Sequence, residues 1–301
     1  MNEHQVIQAF AKIHGLQTHR ADAERFGGML FSVDSFSEHE DFFANTPPED
    51  IGHDLAVGAC TDLLACGVRP EGLFQAWNLD DAHPQSYYEA VARGIEAVLA
   101  HYGARCIGGD VGGASPWCWT ATVVARCPPT GGVTRIAARR EPFELYASGR
   151  FGAANLAVFG GQPMPRFALR EPVPADALFA TDSSGGFFDA LENFRRVNTG
   201  MRLRLELSSV LPQGVPPQVD PMLTLVGGVG EYELLYAVPA GMAVPGIRIG
   251  EGDFIDATEN DFSWSCGDMA GAMSAPPPDY RGLAPEAWLP STIQYLKEMT
   301  H

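Results

Sequence analysis

Four aspartates occupy positions where an aspartate is costly or unusually placed. Asp62 lies in "LAVGACTDLLACG", a stretch in which only Thr61 and Asp62 are strongly polar. A carboxylate on so apolar a helix is expensive unless it is paired or bound to a metal. Asp110 ends "RCIGGD" and is followed by "VGG"; the glycines beside it, Gly109 among them, would let backbone approach a ligand closely. Asp34 follows the apolar run "MLFSV" and opens an acidic stretch holding Glu38, His39, Glu40 and Asp41. Asp182 stands between "LFAT" and "SSGG", a strand-to-helix junction where small residues expose backbone N–H groups to anions. Taken singly, each has an ordinary reading as a helix cap, a buried arginine's partner or a solvated turn. Four acids at four such junctions suggest one polyvalent cation site. Mg²⁺ prefers oxygen ligands and bridges to phosphates.

Other chemistries lack their residues. There is no Gly-x-x-x-x-Gly-Lys-Ser/Thr loop, no Gly-x-Ser-x-Gly elbow and no histidine pair joined by Cys or Glu at zinc spacing. "GGVGEY" at 227–232 precedes a strand and not a helix, which makes it a weak phosphate loop. No side chain stands out as a catalytic nucleophile or base.

The elements that must position these acids alternate. Residues 5–14 form a short amphipathic pattern, and "MLFSVDSF" reads as a strand. "PEDIGHDLAVGACTDLLACG" reads as a helix with Pro48 near its start and Gly67 as its stop. "GLFQAWNL" is a strand, and "SYYEAVARGIEAVLAHYG" a helix with Tyr88, Val91, Ile95 and Leu99 on one stripe. "RCIGGD" is a strand running into a glycine turn, and "WCWTATVVARC" another strand. After a Pro-rich crossing near Pro163–Pro174, "SGGFFDALENFRRVN" is a helix, "MRLRLEL" and "EYELLYAV" are strands, and Ser291–Met299 closes the chain as a helix. The alternation indicates an α/β or α+β fold, divided into residues 1–145 and 146–301.

The 301 residues are 46% hydrophobic and 19% charged, enough for a sizeable core. The net charge of −17 repels nucleic acid and anionic lipid, which excludes both as expected partners. Arginine supplies nearly all the positive charge, since the only lysines are Lys12 and Lys297. None of the six cysteines forms a Cys-x-x-Cys pair, as expected of free thiols in a reducing cytoplasm. The N-terminus has no apolar signal core and no run approaches a membrane span, so the expected location is cytoplasmic.

The order of the pieces resembles the aminoimidazole ribonucleotide synthetase-like (PurM-like) superfamily, and within it the thiamine-monophosphate kinase family most closely. The stretches that carry the resemblance are "SVDSFSEHEDF", "DLAVGACTDLLACGVRP", "YGARCIGGDVGG", "FATDSSGGFFDAL" and "VGGVGEYELLYAVP", which span residues 32–239. The resemblance implies two domains, the first contributing its sheet to a dimeric β-barrel, with ATP and Mg²⁺ in the cleft below a C-terminal α/β domain. It implies metal ligation by Asp34, Asp62 and Asp110 from the first domain and by Asp182 from the second. Asp22 is what remains of a pair of consecutive acids. Ser32 and Val33 match positions lining the nucleotide, Tyr102 an adenine-side tyrosine, and Ser184 a nucleotide-contacting serine. Arg135 matches an ATP-binding arginine with the spacing off by one. Asp41 and Glu231 fall on the substrate side.

The departures bear on the chemistry. Ala59 replaces an asparagine, Gly185 replaces the acid after Ser184, and Asp41 replaces a histidine near the substrate phosphate. "GGVGEYEL" replaces Gly-Gly-Glu-Asp-Tyr-Glu-Leu with one residue gained. A carboxylate roughly 4 Å from an anionic acceptor costs about 4 kcal/mol at an effective dielectric near 20. The expected activity is therefore ATP- and Mg²⁺-dependent phosphoryl transfer, or related ATP activation, on a small non-thiamine molecule. A cationic or amine-bearing acceptor would suit Glu38, Glu40 and Asp41. A decayed nucleotide-binding paralogue and a true thiamine-monophosphate kinase are the alternatives.

Overall fold

The computed structural model describes residues 3–16, 20–38, 41, 45–278 and 285–300. His39 and Glu40 lie outside them. After helix α1 (Glu3–His14), strands β1 (Glu24–Phe26), β2 (Met29–Ser37), β3 (Gly72–Leu79), β4 (Arg105–Gly113) and β5 (Cys118–Arg126) form one sheet. Its order is β1-β2-β5-β3-β4. All neighbours are antiparallel except β3 and β4, which are parallel and joined by helix α3 (Gln85–Tyr102). Parallel neighbours need such a crossover.

Helix α2 (Pro48–Ala65) lies at the centre. Fourteen of its eighteen residues are buried, so it behaves as a helix enclosed on every side and not as an amphipathic surface helix. It crosses α3 at reciprocal glycines: a Cβ on Gly52 would strike the Val91 carbonyl, and one on Gly94 would strike the Glu49 carbonyl and stand 2.6 Å from the His53 nitrogen. Only glycine permits so close an approach.

A second sheet has the order β12-β11-β8-β10-β6-β9-β7. Its strands are β6 (Phe143–Ala147), β7 (Phe179–Asp182), β8 (Met201–Glu206), β9 (Leu234–Pro239), β10 (Ile247–Phe254), β11 (Asp261–Cys266) and β12 (Met269–Ala272). Helices α4 (Ala153–Phe159), α5 (Phe187–Val197), α6 (Pro221–Val226) and α7 (Pro285–Met299) complete the chain. One core gathers Phe187, Leu191 and Phe194 of α5 against this sheet. The other runs from the first sheet through α2 to Ala180, Leu234 and Tyr236, so α2 joins both halves. The segment before β7 straps α2 and α3 in place. Phe167 N–H donates to Asp54 Oδ1 (2.9 Å), His53 Nε2 bonds the Phe167 carbonyl (2.8 Å), and Val173 N–H donates to the Leu64 carbonyl (3.0 Å).

Several expectations differ from the structure. The strand around Asp110 does not stop at its glycines but runs on to Gly113. Asp34 sits in the middle of β2 and not at its end. The strand expected from Glu231 starts at Leu234, because Tyr232 takes φ +56°, outside extended geometry. Sheet membership changes between Arg126 and Phe143, so a division at 145 falls inside β6. Within one chain the first sheet is open, with β1 and β4 at its edges. No helix among the described residues is long and apolar enough to cross a membrane.

Candidate functional site

Asp22, Asp62 and Asp182 converge. Each offers a carboxylate oxygen within 4.8 Å of the others. They come from three places: Asp22 from the approach to β1, Asp62 from the last turns of α2, and Asp182 from the end of β7. Packing of α2 between the two sheets brings them together. Asp34 completes the group electrostatically, because β2 turns Leu30, Ser32, Asp34 and Phe36 toward α2.

The carboxylates are under mutual strain. Burial, then Asp34, Asp182 and Asp22, push the Asp62 carboxyl well above its ordinary range, against an opposing hydrogen bond from Ser32. Burial and then Asp22 raise Asp182 to about 7, with Arg135 pulling the other way. Arg135 ties the group to its surroundings. Its Nη2 reaches Asp22 Oδ1 at 2.5 Å, and its Nε stands 3.1 Å from the same oxygen and 3.0 Å from Thr181 Oγ1. Burial pulls the guanidinium down, but Asp22, Asp182 and Asp62 more than offset this and keep it charged. Thr181 Oγ1 also donates to Asp22 Oδ1 (2.9 Å). Among the described residues these bonds use Oδ1, leaving Oδ2 of Asp22 available to a cation. Thr61 Oγ1 lies 2.8 Å from the Gly58 carbonyl and 3.2 Å from Asp182 Oδ2; its one proton serves only one of them. Ser184 Oγ is 3.3 Å from Asp182 Oδ1. A set of hard oxygen donors that cannot all be ionised comfortably without a positive charge between them suits Mg²⁺.

Other residues singled out in the sequence lie elsewhere. Asp110 pairs across the sheet with Ala76, Thr120 and Ser35, whereas Asp34 pairs in the row of Ala121, Gln75 and Gly109. Adjacent rows face opposite sides of a sheet. Asp110 therefore points away from α2, three strands or roughly 14 Å from β2. Gly109 is a glycine because a Cβ there would strike the Gln75 carbonyl. Val33 is exposed on the outer face. Tyr102 is buried, and its hydroxyl is bound to the Arg170 backbone N–H (3.2 Å) and carbonyl (3.1 Å). Asp41 Oδ2 accepts the Ser37 N–H (2.7 Å). The Glu231 carboxylate accepts the N–H groups of Gly152 (2.5 Å) and Ala154, yet burial still lifts it to about 7. Thr61 and Thr181 were not singled out in the sequence. Each precedes a site aspartate by one residue, which was the available signal.

Comparison with known proteins follows the same lines. Residues 21–127 match the AIR synthase related protein, N-terminal domain. The thiamine-monophosphate kinase of Synechococcus elongatus is 27% identical over 137 residues, covering 46% of this chain and 41% of that protein. That match thus spans about two-fifths of the relative's length. The thiamine-monophosphate kinase of Corynebacterium glutamicum is 27% identical over 228 residues, covering 67% of this chain and 68% of that one. The solved complex of AaThiL with AMPPCP and TMP superposes with a TM-score of 0.71 at 17% identity, covering 86% of this chain and 92% of that one. Residues 21–127 thus match an AIR synthase related N-terminal domain, and the chain is similar in sequence to thiamine-monophosphate kinases and shares the fold of the solved AaThiL complex.

Proposed function

We propose that this protein is an ATP- and Mg²⁺-dependent phosphotransferase, or a related ATP-activating enzyme, acting on a small molecule. The observation that carries the reading is the convergence of Asp22, Asp62 and Asp182 within 4.8 Å, with Asp34 close enough to raise the Asp62 carboxyl. The bound cation would supply charge neutralisation at the phosphates, the main requirement of phosphoryl transfer. The chain's residues would supply position. Ser32 holds Asp62 by a hydrogen bond, and Arg135 and Thr181 hold Asp22. Ser184 is exposed beside Asp182 and can meet a phosphate oxygen. Helix α5 begins within five residues of Asp182, so its positive end favours anions at the same place.

The acceptor we propose is not thiamine monophosphate. Where the resemblance implies a histidine near the acceptor phosphate stands Asp41, whose carboxylate is engaged with the Ser37 N–H. Glu38 is paired with His83 Nε2 at 2.9 Å, and Glu231 with the start of α4. These acids favour a neutral or cationic group over a phosphate. The nucleotide reading is tested by thermal unfolding. ATP should raise the melting temperature when Mg²⁺ is present and leave it unchanged in EDTA, as ligand linkage requires. Equal ATP affinity with and without Mg²⁺, read by calorimetry, would remove the basis for a metal-bridged site.

A further inference from the structure

Gly185 is a glycine for reasons of space. Its neighbour Gly186 has φ +91°, where glycine is needed for the backbone itself. Gly185 has no such left-handed φ, so its backbone suits other residues. Asp189, in the first turn of α5, occupies the space that a side chain there would take. A Cβ on Gly185 would stand 2.7 Å from the Asp189 Cγ and 3.0 Å from its Cβ, with Oδ2 closer still. The separation from that Cβ to Oδ2 is about the span between Cβ and a carboxylate oxygen inside an aspartate. An Asp189 oxygen therefore lies on the shell that the carboxylate of an aspartate at 185 would reach.

The loop has little freedom to change this arrangement. Gly186 N–H donates to the Ser183 carbonyl (2.9 Å), which keeps position 185 on the same turn as Asp182 and Ser184. The facing segment packs on it through backbone: a Cβ on Gly230 would strike the Ser184 carbonyl, and one on Gly186 would stand 2.7 Å from the Gly227 carbonyl. Position 185 is also where the chain departs from the resemblance by losing an acid.

We propose that Asp189 supplies to the cation site the carboxylate that position 185 lacks, so that glycine at 185 and aspartate at 189 act as one exchange made at two positions. This rests on the reading of Asp22, Asp62 and Asp182 as a cation site. An acid in the first turn of α5 also favours that helix through its dipole and its free N–H groups. Such a structural role would change stability but not cation affinity.

The test is titration of the full chain with Mn²⁺ alone, read by calorimetry or electron paramagnetic resonance. Each variant's unfolding is followed in EDTA as the structural control. Asp189→Asn should weaken Mn²⁺ binding on the order of tenfold or more. The double variant Gly185→Asp with Asp189→Ala should bind within about threefold of wild type, whereas Asp189→Ala alone should not. Wild-type affinity in Asp189→Asn, alongside loss of binding in Asp182→Asn, would overturn the inference and leave the cation site standing. A double variant that folds but does not recover Mn²⁺ would overturn it equally. A wild-type chain that binds no Mn²⁺ would overturn the cation-site reading and this inference with it.

Discussion

Substituting Asp62→Asn should make the cation-free protein more stable while removing its response to cation. The structure places carboxylate oxygens of Asp22, Asp62 and Asp182 within 4.8 Å of each other. Two unit charges at that distance and an effective dielectric near 20 repel by about 3.5 kcal/mol. Arg135 offsets the share of Asp22 through its 2.5 Å contact, so the relief comes mainly from Asp182 and Asp34, on the order of 3 kcal/mol. Asparagine keeps an oxygen for the Ser32 hydroxyl. The sign with pH follows from linkage. The folded state raises the carboxyls of Asp62 and Asp182, the latter from 3.8 to about 7. It therefore holds protons that the unfolded chain has released, and stability falls as pH rises through that interval. The advantage of Asp62→Asn should be largest near pH 8 in EDTA and should shrink toward pH 5. Urea unfolding at the two pH values measures it. With Mg²⁺ and ATP added, wild type should gain stability and the variant should not. If Asp62→Asn is less stable than wild type at pH 8 in EDTA, the acid is a structural partner of Ser32 and the electrostatic reasoning fails.

Four further outcomes are expected. Asp54 is fully buried; its Oδ1 accepts the Phe167 N–H, its Oδ2 has no hydrogen-bond partner among the described residues, and burial lifts it from 3.8 to about 7. The wild type should lose about 4 kcal/mol at this site as pH rises across that span, and Asp54→Asn should not; parallel stability–pH curves for the two would refute this. Gly94→Ala should cost about 3 kcal/mol or more, because the added methyl meets backbone of α2 that cannot rotate away; an unchanged melting temperature would show that α2 and α3 have room to separate. The first sheet's outer face exposes Val33, Phe74 and Ile107, and its β1 and β4 edges are open, so light scattering should give a dimer of about 65 kDa, twice the 32.4 kDa chain; a stable monomer at low micromolar concentration would contradict it. Steady-state assays should find thiamine monophosphate a poor acceptor, since one lost electrostatic contact costs roughly 10²–10³ in rate; a turnover of about 1 s⁻¹ would show that another group replaces the histidine whose place Asp41 takes.

Local pattern was enough for much of the fold and for the suspicion of a cation site. Asp62 on an apolar helix and Asp182 before a glycine pair are visible without coordinates, because an unpaired acid in apolar context violates a rule that holds residue by residue. The same is true of α2 and α3, whose ends are marked by Pro48, Gly67 and Gly103; the interior of α3 repeats every three to four residues, and that of α2 is apolar nearly throughout. What the chain order could not decide is which acids share a side of a sheet. Asp110 and Asp34 look alike in sequence, yet the register of four strands turns one toward α2 and the other away. Asp22 looks like a remnant, yet Arg135, 113 residues later, holds it against Thr181. Gly185 reads as a ligand lost, yet the space it leaves is filled by Asp189 one helical turn on. Sequence sets the chemistry and the local period of each element. Whether two carboxylates meet depends on strand register and helix crossing, which arise from burial summed over both cores and are written at no single position.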